Sequence, residues 1–119
     1  MARSLIEMPR RAELRRGDIV IAALPQPVGR RPVLIVSRTT AITVRTAVTV
    51  APVTGTVRRI ASEVPLETRH GVRRRSVANC DSLQTIPKDS LLRRVGTLAP
   101  TDVPDLDRAL RFALGIPPS

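Results

Sequence analysis

The chain has 119 residues and a formal net charge of +10, and 42% of its residues are hydrophobic. This length suits a single domain, and the hydrophobic fraction is sufficient for a core. A single cysteine excludes a disulfide framework and a cysteine-based metal cluster. No stretch is apolar enough for a signal peptide or a membrane span, so we expect a cytoplasmic protein.

The positive charge comes almost entirely from arginine, because Lys88 is the only lysine. Guanidinium groups match phosphate geometry and stack on bases, so the charge favours a nucleic-acid partner. A GC-rich genome would explain the preference for arginine over lysine equally well. It would not explain why basic residues outnumber acidic ones. A chain of this length buries only about two-thirds of its unfolded surface, which favours a homodimer.

The first elements in chain order are an arm and three strands. Residues 1–15 are basic, and we expect them to form a mobile arm, with a short helix at 12–16 as its only regular structure. The arm either contacts RNA or is a solvated tail, and its composition favours the tail. Runs of β-branched and apolar residues then predict three strands, which span 17–24, 32–37 and 46–53. The strands are joined by a Pro- and Gly-rich loop at 25–30 and by a turn or loop at 38–43.

The middle of the chain predicts weaker strands. Pro65 lacks a backbone donor and therefore makes 60–67 either an edge strand or a bulged strand. A basic loop follows at 68–75. The segment 76–86 reads as a strand with a bend near Asp81.

The end of the chain predicts a helical turn at 87–90, a last strand at 91–98 and the clearest helix of the sequence. Thr101 or Asp102 caps this helix, and Gly115 ends it. Apolar residues at helical spacing form one stripe along it: Val103, Leu106, Leu110, Ala113 and Leu114. Together these elements predict a mainly β (α+β) fold, a small barrel or curled sheet of five to seven strands closed by a C-terminal helix.

Five motifs carry a family resemblance. They are RRGDI, GRRPVLIVS, VAPVTGTVR, RRRSVANCDSLQTIPKDSL and a tail of the type RVGTLAP…LDRALRFALGI. With the motifs in this order and spacing, the chain resembles the MazF/PemK toxins of type II toxin–antitoxin systems over residues 16–116. Residues 117–119 then form a C-terminal tail.

The resemblance implies an SH3-like barrel of the MazF/CcdB type that acts as a homodimer. It implies an endoribonuclease that needs no metal or other cofactor and cuts single-stranded RNA, chiefly mRNA, at short sequences. The ribose 2′-hydroxyl is the nucleophile, and the products carry 2′,3′-cyclic phosphate and 5′-hydroxyl ends. A cognate antitoxin with an acidic, extended tail blocks the RNA groove.

By position in the motifs, the resemblance assigns catalytic roles to Arg31, Thr54 and Asp81. The chain departs from the family at three places. Its loop at 25–30 is shorter than usual and lacks an acidic residue, Asn79 replaces an arginine that some members have, and Val20 replaces an aromatic residue. These departures leave open the third catalytic group and the RNA sequence that is recognised.

The chemistry of RNA cleavage fits the assigned pair. The guanidinium of Arg31 can stabilise the charge on a phosphorane, and the hydroxyl of Thr54 can donate to a phosphate oxygen. As alternatives, Arg31 is a solvated arginine at a strand end and Thr54 only favours the strand. The general base stays open: we expect His70 to be an exposed loop residue, and Asp81 is either the base or a residue that satisfies backbone donors at the bend.

Other basic and amide side chains are candidates for binding RNA. The chain has no exposed aromatic residues to spare for base stacking, so polar groups and arginine planes would contact the bases. Phosphate contacts by arginines would make binding strongly salt-dependent. The candidates are Gln26, Arg30, Arg58, Arg59, Arg73, Arg74, Arg75, Asn79 and Gln84.

Two other functions fit the same fold. The first is a CcdB-like toxin that poisons DNA gyrase through its C-terminal helix, although that activity does not need Arg31 and Thr54. The second is a non-catalytic nucleic-acid-binding barrel, which would follow if the shortened loop at 25–30 has disabled the site.

Overall fold

The computed structural model describes residues 13–118. They form a sheet of seven strands with two helices. The strands are β1 Asp18–Ala23, β2 Arg30–Ile35, β3 Ala47–Thr54, β4 Glu63–Leu66, β5 Ser76–Asn79, β6 Gln84–Pro87 and β7 Leu91–Thr97. The helices are α1 Thr39–Val44 and α2 Val103–Leu114, and single 3₁₀ turns lie at Thr68–His70, Cys80–Ser82 and Lys88–Ser90.

The sheet is antiparallel and runs in the order β4-β5-β3-β2-β1-β7, with β6 paired to β3 beside β5. The first half of β3 pairs with β6 and its last residues, Val53 and Thr54, pair with β5. The chain therefore bends between β5 and β6, at the 3₁₀ turn Cys80–Ser82. This curled sheet with a C-terminal helix confirms the predicted fold class and the bend near Asp81. The predicted edge strand is also confirmed, because β4 ends the sheet on one side.

Two apolar clusters fill the two sides of the curled sheet. Along β2, Leu34 packs into one cluster, while Val33 and Ile35 pack into the other. Both faces of β2 are thus buried, which explains its unbroken apolar sequence. Helix α2 covers the first cluster through Leu106, and α1 covers the second through Ile42.

Two predictions of local structure were wrong. Residues 38–43 are not a turn or loop, because helix α1 occupies most of them. Its sequence, TTAITV, has weak helix propensity, but Ala41 and Ile42 are buried, and Nζ of Lys88 donates to the carbonyl of Ile42 at 2.7 Å. Helix α2 was predicted to bury Leu114, which is 58% exposed because the last turn of the helix extends beyond the core.

The arm predicted at 1–15 lies largely outside the described residues. Leu14, however, is fully buried in the second cluster, so the fold takes in residues that the sequence assigned to the arm. Of the short helix predicted at 12–16, residues 14–16 are not helical. No helix among residues 13–118 has the length and apolar character needed to cross a membrane.

Candidate active site

A cleft of about 260 Å³ lies where β2 begins and β3 ends. Its floor is apolar, and the charged side chains that line it are all arginines, contributed by β2 and by the loop that follows Gly71. The lining residues are Ile21, Arg31, Pro32, Val53, Thr54, Gly55, Gly71, Val72, Arg73, Arg74, Ser76 and Val95. A concave site with this charge favours an anionic ligand.

Arg31 and Thr54 line the cleft from two neighbouring strands. The β2–β3 pairing ends at Val33 and Pro52, and Arg31 and Thr54 each lie two residues beyond this pair, on the face that Val33 and Pro52 share. The two residues assigned from separate motifs therefore meet in one site.

Strand β2 begins two residues earlier than the sequence indicated. It starts at Arg30, which pairs with Ala23 of β1, so Pro32 lies inside the strand. Pairing of β2 with β3 begins only at Val33, and Pro32 therefore need not donate to β3. The early start fixes Arg31 on a strand, where its backbone position is set by the sheet.

Thr54 is oriented by the turn that follows it. Its Oγ1 accepts the backbone N–H of Thr56 at 3.1 Å. The hydroxyl proton is left to donate, and a phosphate oxygen in the cleft would be a suitable acceptor. Arg31 is exposed, and no salt bridge joins it to another residue of the described range.

Arg74 comes close to this pair. Its Nη2 lies 3.1 Å from the position that a Cβ atom on Gly55 would occupy, so its guanidinium lies over the residue next to Thr54. Arg73 lines the same wall of the cleft. The structure thus brings Arg31, Thr54, Arg73 and Arg74 together in a site without an acidic lining residue.

Asp81 is not part of this cleft. Strand β5 pairs Val77 with Thr54 and then runs away from it, and Asp81 lies beyond the far end of β5, in the 3₁₀ turn Cys80–Ser82. Asp81 is exposed, and its Oδ2 accepts the hydroxyl of Ser62 at 2.5 Å. Its carboxylate is thus bonded to a serine that precedes β4, and it does not line the cleft.

Two further candidates for binding RNA lie along β5 and β6. Asn79 already uses its side chain locally, because its Oδ1 accepts the N–H of Asp81 at 2.9 Å and its Nδ2 donates to Ser82 at 3.3 Å. Gln84 is exposed on β6, opposite Val50. Neither residue lines the cleft.

The loop after Gly55 presents two exposed arginines. The N–H groups of Arg58 and Arg59 donate to the carboxylate of Glu63 at 2.9–3.2 Å, and Arg59 has a φ of +59°. A buried carboxylate thereby holds the loop in a left-handed turn with both guanidinium groups outward.

The remaining candidates are exposed and do not line the cleft. Gln26 lies in the β1–β2 loop, Arg30 opens β2, and Arg75 follows Arg74. They would meet RNA only beyond the cleft.

His70 was expected to be an exposed loop residue, and this was wrong: its side chain is 3% exposed. Its Nδ1 accepts the backbone N–H of Glu67 at 2.9 Å. Nε2 must therefore carry the proton of the neutral ring, which it donates to Oδ2 of Asp102 at 2.9 Å. With both nitrogens engaged outside the cleft, His70 does not serve there as a base.

Asp102 is a residue whose role the sequence did not reveal. It stands at the start of α2, as predicted for a cap, but its side chain makes no capping bond. Its carboxylate instead accepts from both Nη atoms of Arg69 at 3.1 Å, from His70, and from the N–H of Ala99 at 3.0 Å. The bidentate bond from Arg69, followed by the bond from His70, holds the pKa of Asp102 far below its usual range.

Cys80 does not supply a nucleophile. Burial, reinforced by the charge of nearby Asp81, raises the pKa of its thiol to about 11. The sulfur is therefore protonated and inaccessible at neutral pH. Across residues 13–118, no three His, Cys, Asp or Glu side chains gather into a possible metal site.

A basic cleft that joins an arginine to an oriented hydroxyl on a small curled sheet is a site suited to the phosphate groups of a nucleic acid. Residues 15–114 match the family described as PemK-like, MazF-like toxin of type II toxin-antitoxin system. The chain belongs to this family, which confirms the resemblance drawn from its motifs.

Similar proteins agree with this assignment. Endoribonuclease MazF3 of Mycobacterium tuberculosis is 45% identical over 86 residues, which cover 72% of this chain and 84% of the relative. The structure of Mycobacterium tuberculosis toxin MazF-mt6 superimposes with a TM-score of 0.78 at 41% identity, over 84% of this chain and 98% of that one. An endoribonuclease in complex with its cognate antitoxin, from a mycobacterial species, has a TM-score of 0.78 at 27% identity, over 89% and 99% of the two chains.

Proposed function

We propose that the chain is an endoribonuclease toxin that cleaves single-stranded RNA, chiefly mRNA, without a metal ion, and that Arg31 and Thr54 are its catalytic pair. The observation that carries this proposal is that Arg31 and Thr54 line one cleft whose charged lining residues are all arginines. Family membership and the names of the curated relatives support RNA as the substrate. They give no support to gyrase, the target of the CcdB-like alternative.

In the proposed reaction, the scissile phosphate lies between Arg31 and Thr54. The ribose 2′-oxygen loses its proton to solvent water and attacks phosphorus, the bond to the 5′-oxygen breaks, and that oxygen takes up a proton from solvent water. The products are a 2′,3′-cyclic phosphate and a 5′-hydroxyl. Arg31 donates to the non-bridging oxygens as their charge grows, and Thr54 donates its hydroxyl proton to one of them.

No carboxylate or imidazole lines the cleft, because its only ionisable lining residues are arginines. The pKa of an arginine, above about 12, makes it a poor proton carrier. The proposed rate enhancement therefore comes from charge stabilisation and from positioning of the 2′-hydroxyl in line with the leaving oxygen. Asp81 is left out of the catalytic pair because of its distance from Thr54.

The remaining arginines serve the flanking phosphates. Arg73 and Arg74 line one wall of the cleft and are the nearest further contacts to the scissile group. The other candidates would follow the RNA further along the surface and give binding its salt dependence. They are Gln26, Arg30, Arg58, Arg59, Arg75, Asn79 and Gln84.

The proposed partners are a second copy of the chain and an antitoxin, all in the cytoplasm. Large apolar side chains are exposed at Val28, Phe112, Leu114 and Ile116, and a homodimer interface would cover part of this surface. A similar endoribonuclease is known in complex with its cognate antitoxin. An acidic antitoxin tail would complement the arginine-lined cleft and compete there with RNA.

The test is cleavage of a long single-stranded RNA by the purified protein in EDTA. We expect Arg31→Ala to lose at least about 100-fold in rate while remaining folded, because it removes a donor to the developing charge. Arg45→Ala is the matched control: it removes the same charge from an exposed residue just before β3, at the end of the strand away from Thr54.

An Arg31→Ala variant that cuts like the parent would overturn the site assignment. A parent protein that cuts no RNA but inhibits gyrase would establish the CcdB-like alternative. Binding of RNA without any cleavage would establish the non-catalytic barrel.

A further inference from the structure

The wall of the cleft that carries Arg73 and Arg74 is held from behind by a backbone crossing. The chain turns at Gly71, whose φ is +93°, and passes over β7 at Gly96. A Cβ atom on Gly71 would overlap the carbonyl oxygen of Val95, and one on Gly96 would overlap that of His70. The two backbones are therefore in direct contact, which only glycine allows.

His70, the residue before Gly71 at this crossing, is bonded to Asp102 at the start of α2. Asp102 accepts the Nε2 proton of His70, whose other nitrogen is held by the N–H of Glu67. Arg69 closes the network with two bonds to the same carboxylate. Because the His70 side chain is 3% exposed and that of Asp102 is 13% exposed, water competes little for the bond between them.

The network ends just before the cleft begins. Gly71 follows His70 directly and lines the cleft, together with Val72, Arg73 and Arg74. Neither Arg73 nor Arg74 has a salt bridge to another residue among 13–118. The location of their guanidinium groups therefore depends on how the backbone of this loop is held.

We propose that Asp102 and His70 are positioning residues of the RNA site, which hold Arg73 and Arg74 at the substrate phosphates through the Gly71–Gly96 crossing. This inference rests on the proposed function. Under this inference Asp102, which stands at the start of α2 and does not line the cleft, controls the affinity for RNA. Loss of the network would let the arginine wall move away from Arg31 and Thr54.

The test compares Asp102→Asn with the parent and with Asp105→Asn. The control makes the same change of charge at the same end of α2, where the Asp105 side chain is 45% exposed and accepts a hydrogen bond from Arg108. Binding is measured with a single-stranded RNA of mixed sequence that carries 2′-O-methyl groups and so cannot be cut. Cleavage is measured with a long unmodified RNA.

We expect Asp102→Asn to raise Kd and KM about tenfold, to leave kcat within about twofold, and to lower the slope of log affinity against log salt by about 0.7–1.4, as expected for one or two lost phosphate contacts. Asp105→Asn should match the parent in all three. A merely structural role would lower Tm and leave the salt slope, Kd and KM unchanged, and that result would overturn the inference.

A double-mutant cycle separates positioning from direct contact. In an Arg73→Ala/Arg74→Ala background, Asp102→Asn should cause no further loss of affinity, because the groups that it positions are absent. Fully additive losses would contradict the inference. If Asp102→Asn does not fold, Arg69→Gln tests the network from its exposed end in the same cycle, since the Arg69 side chain is 55% exposed and its removal leaves the bond between His70 and Asp102.

The two proposals fail in different ways. If Arg31→Ala still cuts RNA, the proposed function fails. If Arg31→Ala is inactive while Asp102→Asn binds and cuts like the parent, only the inference about positioning fails.

Discussion

Arg31 and Thr54 line one cleft, but their chemical roles differ. Arg31 supplies a permanent positive charge and several donors, whereas Thr54 supplies one neutral donor whose orientation is fixed by the N–H of Thr56. Removing the charge should therefore cost more than removing the hydroxyl. This order of effects distinguishes a phosphate-stabilising pair from two unrelated polar residues at strand ends.

Thr54→Val should lower kcat by about 10- to 100-fold, because one hydrogen bond to a charged group contributes about 1.5–3 kcal/mol. The replacement keeps the β-branched shape, so Tm should fall only slightly. Thr56→Val is the control, since Thr56 bonds to Thr54 through its backbone N–H, which valine keeps. Equal activity of Thr54→Val and the parent would remove Thr54 from the catalytic pair.

Asp81→Asn should keep the cleavage rate within about twofold of the parent. Asp81 lies outside the cleft, and its bond to Ser62 can be retained by an amide oxygen. The measurement is the initial rate on the same RNA used for Arg31→Ala. A loss of 100-fold or more would restore Asp81 as the general base and would require the substrate to extend to the bend after β5.

At the scale of secondary-structure elements, the sequence best predicted those elements that depend on hydrophobic periodicity and on turn-forming residues. The strands around Arg31 and Thr54 follow from apolar runs, and Pro65 marks an edge strand because it lacks a donor. Helix α1 was missed because its stability comes from burial of Ala41 and Ile42 against distant strands, which propensity does not register.

The pair of His70 and Asp102 could not be predicted for a related reason. The two residues are separated by 32 positions, and nothing in the segment TRHG indicates that its histidine is buried. Asp81 shows a different limit of prediction from sequence. A motif match identified the residue, but the register of β5 against β3 is needed to show that the chain runs away from Thr54 before it reaches Asp81.

The network at the start of α2 should make stability depend on acid pH. The bonds from Arg69 and His70 lower the pKa of Asp102 well below the usual range of an aspartate. A lowered carboxylate pKa contributes stability that is fully present above the unfolded value and is lost as pH falls through the folded value. Asp102→Asn should thus be less stable than the parent by about 1–2 kcal/mol at pH 7, allowing for solvent screening at Arg69.

This difference in the free energy of unfolding should shrink as pH falls below about 5, because the unfolded parent takes up a proton on Asp102 before the folded parent does. Urea unfolding of both proteins across this range measures it. A difference that stays constant with pH would mean that Asp102 contributes through its shape and not through its charge.

At the scale of the molecule, the distribution of charge explains how one face is kept for RNA. The acidic residues of α2 are paired with arginines outside the cleft: Asp107 with Arg16 and Asp105 with Arg108. No salt bridge among residues 13–118 reaches the arginines of the cleft. With a net charge of +10, the chain thus leaves the cleft positive for an RNA phosphate or, in competition with it, an acidic antitoxin tail.

The most direct measurement of the central claim is the chemistry of the RNA ends produced in EDTA. The account predicts 5′-hydroxyl and 2′,3′-cyclic phosphate ends from the parent, no cutting where the ribose at the cleaved position is 2′-deoxy, and no products from Arg31→Ala. Products with 5′-phosphate ends, or cleavage that survives the 2′-deoxy substitution, would contradict a mechanism in which the cleft around Arg31 and Thr54 activates RNA for attack by its own 2′-hydroxyl.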